Sequence, residues 1–132
     1  MISRVLVKLN SVSYFLIRTN SWAVCPNGYF VQGFYRGSGD WLHNIEEAKC
    51  CKPETFPNRY EYCYNEDISS SFDNKGLSKC KKTGYYVAGI YRGGCDKLYC
   101  IEMLKCCKMN VGEKGYHVGN LSCDNSVSKL KN

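Results

Sequence analysis

The chain has 132 residues, among them ten cysteines and eleven tyrosines, and a formal net charge of +6. That length holds one domain or two very small ones, and a unit of about half the chain has too thin a core to stand without staples. No run approaches the ~20 apolar residues of a membrane-crossing helix. The spacing also points away from zinc: there is no C-x2-C pair, and His43 and His117 lie far apart. Disulfides are the remaining use for so many cysteines, and they persist in oxidising compartments.

In chain order, residues 1–19 read as an N-terminal strand or linker. A signal peptide is the weaker reading. Arg4 suits a charged start and Ser21-Trp22-Ala23 a cleavage site, but Lys8 and Asn10 interrupt the apolar run and Arg18 follows it. A leader needs 7–15 unbroken apolar residues, roughly. Residues 20–75 form a first Cys-rich unit. Its "GYFVQGFYR" (28–36) is aromatic and β-branched, which predicts a strand, with Gly33 marking a bulge or a close backbone approach. "IEEAKCCK" (45–52) has helical propensity, yet it follows a Gly-rich loop and ends in a double cysteine, so it reads as the return strand. Residues 29–36 then pair with 45–52 across a loop at 37–44, with Arg36 near Glu46. Residues 53–79 are polar and turn-rich, with one short strand expected near Ser70–Phe72. Residues 76–123 form a second unit, with "GYYVAGIYR" and "IEMLKCCK" as its hairpin, Gly89 in the place of Gly33, and Arg92 near Glu102. Residues 124–132 read as a tail or the start of a third unit.

The two units are copies. Without gaps, residues 28–52 and 84–108 agree at 15 of 25 positions. Cys25, Cys50, Cys51 and Cys63 correspond to Cys80, Cys106, Cys107 and Cys123. Only Cys95 and Cys100 are extra, standing where the first unit has Gly39 and Asn44. An unpaired thiol is a liability in an oxidising compartment, so joint gain or loss predicts that Cys95 and Cys100 bond each other. Adjacent cysteines are too close to bond one another in a relaxed geometry. Within a unit this leaves Cys25–Cys50 with Cys51–Cys63, or Cys25–Cys51 with Cys50–Cys63, and bonds between units stay open. On a strand the two neighbours point to opposite faces, so each pair staples its strand to a partner on either side. The fold expected is mainly β: a tandem repeat of two disulfide-stapled β-hairpin units of about 56 residues, packed as one small domain.

No catalytic constellation is evident, and no enzyme, cofactor or metal is expected. Glu46-Glu47 offers two carboxylates, but Met103 replaces the second in the other unit, and no C-x-x-C redox motif occurs. Charge is more telling. Residues 75–108 hold eight Lys/Arg against two acidic residues, while residues 1–66 carry only +1. Lys79, Lys81, Lys82, Arg92 and Lys97 are the candidate contacts for an anionic partner, a cell-surface glycan or an acidic membrane surface. The oxidising compartment argues against nucleic acid. Strand alternation places Tyr29, Val31 and Tyr35 on one face with Tyr85, Val87 and Tyr91, and Phe30, Phe34, Tyr86 and Ile90 on the other. Such aromatics serve as core or as stacking surface. Asn120-Leu121-Ser122 is an N-glycosylation sequon.

The pattern C-x(2,3)-G-Y-x-V-x-G-x-Y-R, then I-E, then K-C-C resembles Cys-rich repeats of secreted invertebrate proteins. These include the C-terminal accessory regions of membrane-attack-complex/perforin-type proteins. The likeness is strongest over "SFDNKGLSKCKKTGYYVAGIYRGGCDKLYCIEMLKCCK" and covers roughly residues 20–123. More distantly the chain is similar to dermatopontin-like repeats. The first resemblance implies a secreted β-rich module that recognises a cell surface beside the other domains of a longer pore-forming protein or immune effector. The second implies an extracellular matrix adhesion protein. Neither resemblance brings a residue-level binding site.

Overall fold

The computed structural model describes residues 7–54 and 56–109. The chain is mainly β. Its strands are β1 (Val7–Ser13), β2 (Ser21–Val24), β3 (Phe30–Arg36), β4 (Ile45–Pro53), β5 (Tyr62–Asp67), β6 (Tyr86–Arg92) and β7 (Ile101–Lys108), with one short helix, α1 (Ser69–Asp73), between β5 and β6. A single 3-10 turn precedes each return strand, at Leu42–Asn44 and Leu98–Cys100. Two antiparallel sheets result, ordered β1-β4-β3 and β2-β6-β7-β5.

Each "GY…YR" segment pairs with the "IE…KCCK" segment that follows it, as the sequence predicts. The registers agree: Phe30 faces Cys51 and Val31 faces Cys50, as Tyr86 faces Cys107 and Val87 faces Cys106. Both hairpins shift register at the expected glycine, between Val31 and Gly33 and between Val87 and Gly89. This extra residue overturns the simple alternation of aromatic faces. Val87 and Ile90, three apart, both pack on the main core, while Tyr86 and Ala88 belong to a second cluster. A bulge inserts one unpaired residue, so the faces swap beyond it. Phe34 follows the same rule, its ring 5.7 Å from that of Phe15 in the main core.

The main core draws on both sheets: Ala23, Ala48, Cys50, Leu104 and Cys106 are buried there with Phe15, Leu16 and Ile68. Phe30, Ala88, Cys107 and Met109 form the smaller cluster. The double cysteines divide as strand geometry requires, Cys106 facing one cluster and Cys107 the other.

Connectivity follows neither within-unit scheme completely. Cys25–Cys50 and Cys80–Cys106 are equivalent bonds inside their units, with Cα separations of 5.9 and 5.8 Å. Cys63, however, bonds Cys107 of the other unit at a Cα separation of 4.1 Å. The reason is strand pairing: β5 lies against β7 with Cys63 directly opposite Cys107. Cys95 and Cys100 bond each other, as their joint absence from the first unit predicts. Cys51 is also disulfide-bonded; Cys123, His117, the Asn120 sequon and the tail at 124–132 lie outside the described residues.

Two further expectations are corrected. The strand predicted near Ser70–Phe72 is α1, and the strand of that segment comes earlier, as β5. Asp67 accepts from the backbone N–H of Ser69 (2.9 Å) and from its hydroxyl (2.7 Å), and the Ser71 hydroxyl bonds the Ile68 carbonyl (3.1 Å). Such local side-chain bonds compete with a ladder and wind the chain. The loop arginines also choose other partners. Arg36 donates to the Gly39 carbonyl (2.9 Å) and to Asp40 (2.6 Å), rather than to Glu46. Arg92 likewise bonds the Cys95 carbonyl (2.8 Å) and Asp96 (3.0 Å), rather than Glu102. A guanidinium fork reaches a carbonyl and a carboxylate of its own loop at once, which suits it to closing the turn.

Candidate functional site

The basic residues singled out from the sequence do not gather as one patch. Lys79, Lys81 and Lys82 are exposed on the segment entering the second hairpin, and Lys97 is exposed at its loop. The seven-residue β6 separates the two positions, about 20 Å of extended chain. Arg92 is not a surface residue at all: it is 4% exposed, and its Nη1 donates to the Leu16 carbonyl at 2.6 Å. Its charge is spent inside the fold.

What the structure adds to the three lysines is a set of tyrosines. β5 and the residue just before β6 bring Tyr64 and Tyr85 together, ring centroids 5.1 Å apart and edge to face. The Lys82 ammonium lies 4.5 Å from the Tyr64 ring. Lys108, at the end of β7, spans two more rings, 5.2 Å from Tyr62 and 5.6 Å from Tyr85. Lys105 lies 5.2 Å from the Tyr60 ring. Ammonium over an aromatic face is attractive, worth about 0.5–1 kcal/mol at exposed sites, so these cations are held in place without being neutralised.

An acid beside the cluster, Glu66, is already engaged. Glu66 accepts from the Tyr64 hydroxyl (2.6 Å) and from the Lys81 backbone N–H (2.8 Å). The Tyr64 bond holds the Glu66 carboxyl below its usual range, while burial and the carboxylate push the Tyr64 hydroxyl up. The Lys82 N–H donates to the Tyr64 oxygen at 3.2 Å, fixing the backbone from which that side chain rises. Among the described residues the ion pairs are Arg36–Asp40, His43–Asp96, Lys49–Glu47 and Arg92–Asp96. Lys79, Lys81, Lys82, Lys97 and Lys108 stand outside them.

Lys108, Tyr62 and Tyr64 were not singled out by sequence reasoning. The shared K-C-C-K ending contained a signal, but a misleading one, because its two copies behave differently. Lys52, the counterpart of Lys108, is 1% exposed. Its ammonium donates to the carbonyls of Phe56 (2.8 Å) and Pro53 (3.2 Å) and approaches that of Glu54 (3.5 Å). Burial lowers its pKa, with Lys8 adding to the effect. One lysine is an internal peg, and its copy is a half-buried cation lying between two tyrosine rings.

Other features offer less. A cleft of about 700 Å³ between β1 and β2 is lined by Phe15, Leu16, Ile17 and Trp22 with Arg18 as its one cation. His43 bonds Asp96 across the two hairpin loops, and the His43 N–H donates to the same carboxylate at 2.8 Å. No group of three metal-ligating side chains is assembled among the described residues, and none of the described helices is long and apolar enough to cross a membrane. Every described cysteine is disulfide-bonded, which fits folding in an oxidising compartment. No family model, curated protein or solved structure matches the chain.

Proposed function

We propose that the chain is a secreted recognition module without catalytic activity, and that it binds an anionic cell surface through the entrance of its second hairpin. The observation that carries this reading is the pairing of unneutralised ammonium groups with tyrosine rings. Lys82 over Tyr64 and Lys108 over Tyr62 and Tyr85 present positive charge beside flat apolar faces. Lys79 and Lys81 extend the same field. Sulfated glycans and acidic lipid headgroups both offer anionic groups that such a surface attracts, and a sugar ring supplies a face for the tyrosines. The resemblance to accessory regions of perforin-type proteins adds the expectation that this module serves a larger effector.

Exposed charge attraction is screened over about 8 Å at physiological ionic strength. Binding to immobilised heparin and to vesicles containing phosphatidylserine is therefore expected to fall steeply with salt. Changing Lys79, Lys81 and Lys82 together to Ser is expected to abolish most of it while leaving the disulfides intact. Retention on heparin or vesicles at high salt by the triple variant would sink the proposal.

A further inference from the structure

Cys63 differs from the other described cysteines in its setting. It is exposed, whereas the other eight are buried or half-buried. Its disulfide joins it to Cys107, which is 0% exposed. Thiol–disulfide exchange begins when a thiolate reaches one of the two sulfurs, so access selects which bond reacts. Among the described bonds, Cys63–Cys107 is the one with an exposed member.

The bond also lies inside the candidate surface. β5 and β7 place Tyr62 opposite Lys108, Cys63 opposite Cys107 and Tyr64 opposite Cys106. Cys63 therefore stands between the two tyrosines of β5, and Cys107 stands beside the lysine that spans Tyr62 and Tyr85. Alternation sends the disulfide to the face opposite those side chains, so it fixes their register from behind. Among the described strands β5 pairs with β7 alone. A strand whose register slips by one residue turns every side chain to the other face.

The first hairpin shows that the pairing does not itself need this bond. β1 lies on β4 as β5 lies on β7, and Leu9 faces Cys51 where Cys63 faces Cys107. The strand forms there with no covalent link between those two positions. Opening Cys63–Cys107 therefore loosens β5 while the ladder and the Cys80–Cys106 bond keep the fold.

We infer that Cys63–Cys107 is a thiol–disulfide exchange site through which a dithiol reductant switches the lysine–tyrosine surface off. The inference rests on the reading of that surface as the anion-binding site. One thiolate of the dithiol attacks the Cys63 sulfur. The Cys63–Cys107 bond breaks, and Cys107 leaves as a thiolate. The second thiol of the reductant gives up its proton to that thiolate and attacks the mixed disulfide at the reductant's own sulfur. Cys63 is released and takes a proton from solvent, which the first thiol had given up, and the reductant closes its own disulfide. Two electrons pass to the protein, and no other reactant is consumed. With the latch open, Tyr62, Tyr64 and Lys108 lose the fixed spacing that pre-organises them for a ligand.

Limiting dithiothreitol added to the folded full chain tests this. Samples are trapped with N-ethylmaleimide in acidic denaturant and mapped as peptides. Cys63 and Cys107 are expected to be modified about tenfold faster than the pairs Cys25–Cys50, Cys80–Cys106 and Cys95–Cys100, because access sets the rate. Circular dichroism is expected to stay unchanged. Heparin affinity in the same buffer is expected to fall about tenfold as that bond opens, through lost pre-organisation, and to return on reoxidation with glutathione disulfide. Earlier opening of any of the other three pairs, or loss of the fold as Cys63–Cys107 opens, would overturn the inference. Unchanged heparin affinity with Cys63–Cys107 open would overturn it too, and would leave the lysine reading standing. A fully oxidised chain that does not bind heparin would overturn that reading, and the switch with it.

Discussion

At the scale of single residues, the two hairpin loops solve one problem with different chemistry. Cys95 and Cys100 are bonded. In the first unit Asn44, 9% exposed, fills that space, and its carboxamide accepts the Trp41 N–H at 3.0 Å. A side chain at Gly39 would collide with that carboxamide. The double change Cys95→Gly and Cys100→Asn is therefore expected to fold and secrete, losing at most about 2–3 kcal/mol, since short loops gain least from cross-linking. Chemical denaturation of the purified variant measures the loss. Tyr60 offers a second test. Its hydroxyl bonds the Tyr29 carbonyl and lies 3.1 Å from that of Pro26, and burial pushes its pKa up to about 12. The unfolded chain ionises near pH 10, so a proton leaves the unfolded state first. The associated stability is present below pH 10 and is lost as pH rises toward about 12. Denaturant midpoints measured from pH 9 to 12 should fall less steeply in Tyr60→Phe than in wild type.

At the scale of elements, the bulged first strand is the repeated device, and its meaning depends on what lies beside it. In β6 the glycine admits β2 against the strand edge, while in β3 it faces open space. Gly89→Ala is expected to destabilise the monomer by about 1–3 kcal/mol, the usual range for overpacking, and Gly33→Ala by far less. Thermal unfolding of the pair decides this, and equal losses would contradict the assigned register. β1 also has a recognisable place. Leu9 faces Cys51 and Val12 faces Ala48, as Cys63 faces Cys107 and Glu66 faces Leu104. β1 therefore sits on the first hairpin register for register as β5 sits on the second, with Leu9 where Cys63 would be.

At the scale of the molecule, the units are joined by exchange. The second hairpin is held on one edge by β2, which precedes the first hairpin, and on the other by β5, which follows it. Cys63–Cys107 locks the second of these contacts. Four bonds account for eight of the ten cysteines. Position 9 offers no thiol to Cys51, so the monomer is expected to join Cys51 to Cys123, the counterpart of Cys63. Peptide mapping without reduction should recover that linked pair and no alkylated cysteine. A free thiol at either position would refute it.

Local patterns in the sequence were enough for the mainly β class, both hairpins and their loops, the glycine positions at which each first strand departs from regular pairing, the opposed faces of each double cysteine, and the Cys95–Cys100 bond. All of these rest on local regularities: period-two alternation, glycine placement, and the comparison of one unit with its copy. Tertiary structure alone decided the rest. Arg36 and Arg92 stand in the same local motif and make the same loop contacts, yet one lies in solvent and the other under Leu16. Lys52 and Lys108 end the same K-C-C-K run, yet one plugs a ring of carbonyls and the other spans two tyrosines. Cys63 has its partner 44 residues away rather than in its own unit. In each case the deciding neighbour comes from a distant part of the chain. A repeated sequence encodes the same local geometry twice, but the surroundings differ because, among the described strands, the second hairpin lies between β2 and β5 and the first pairs with β1.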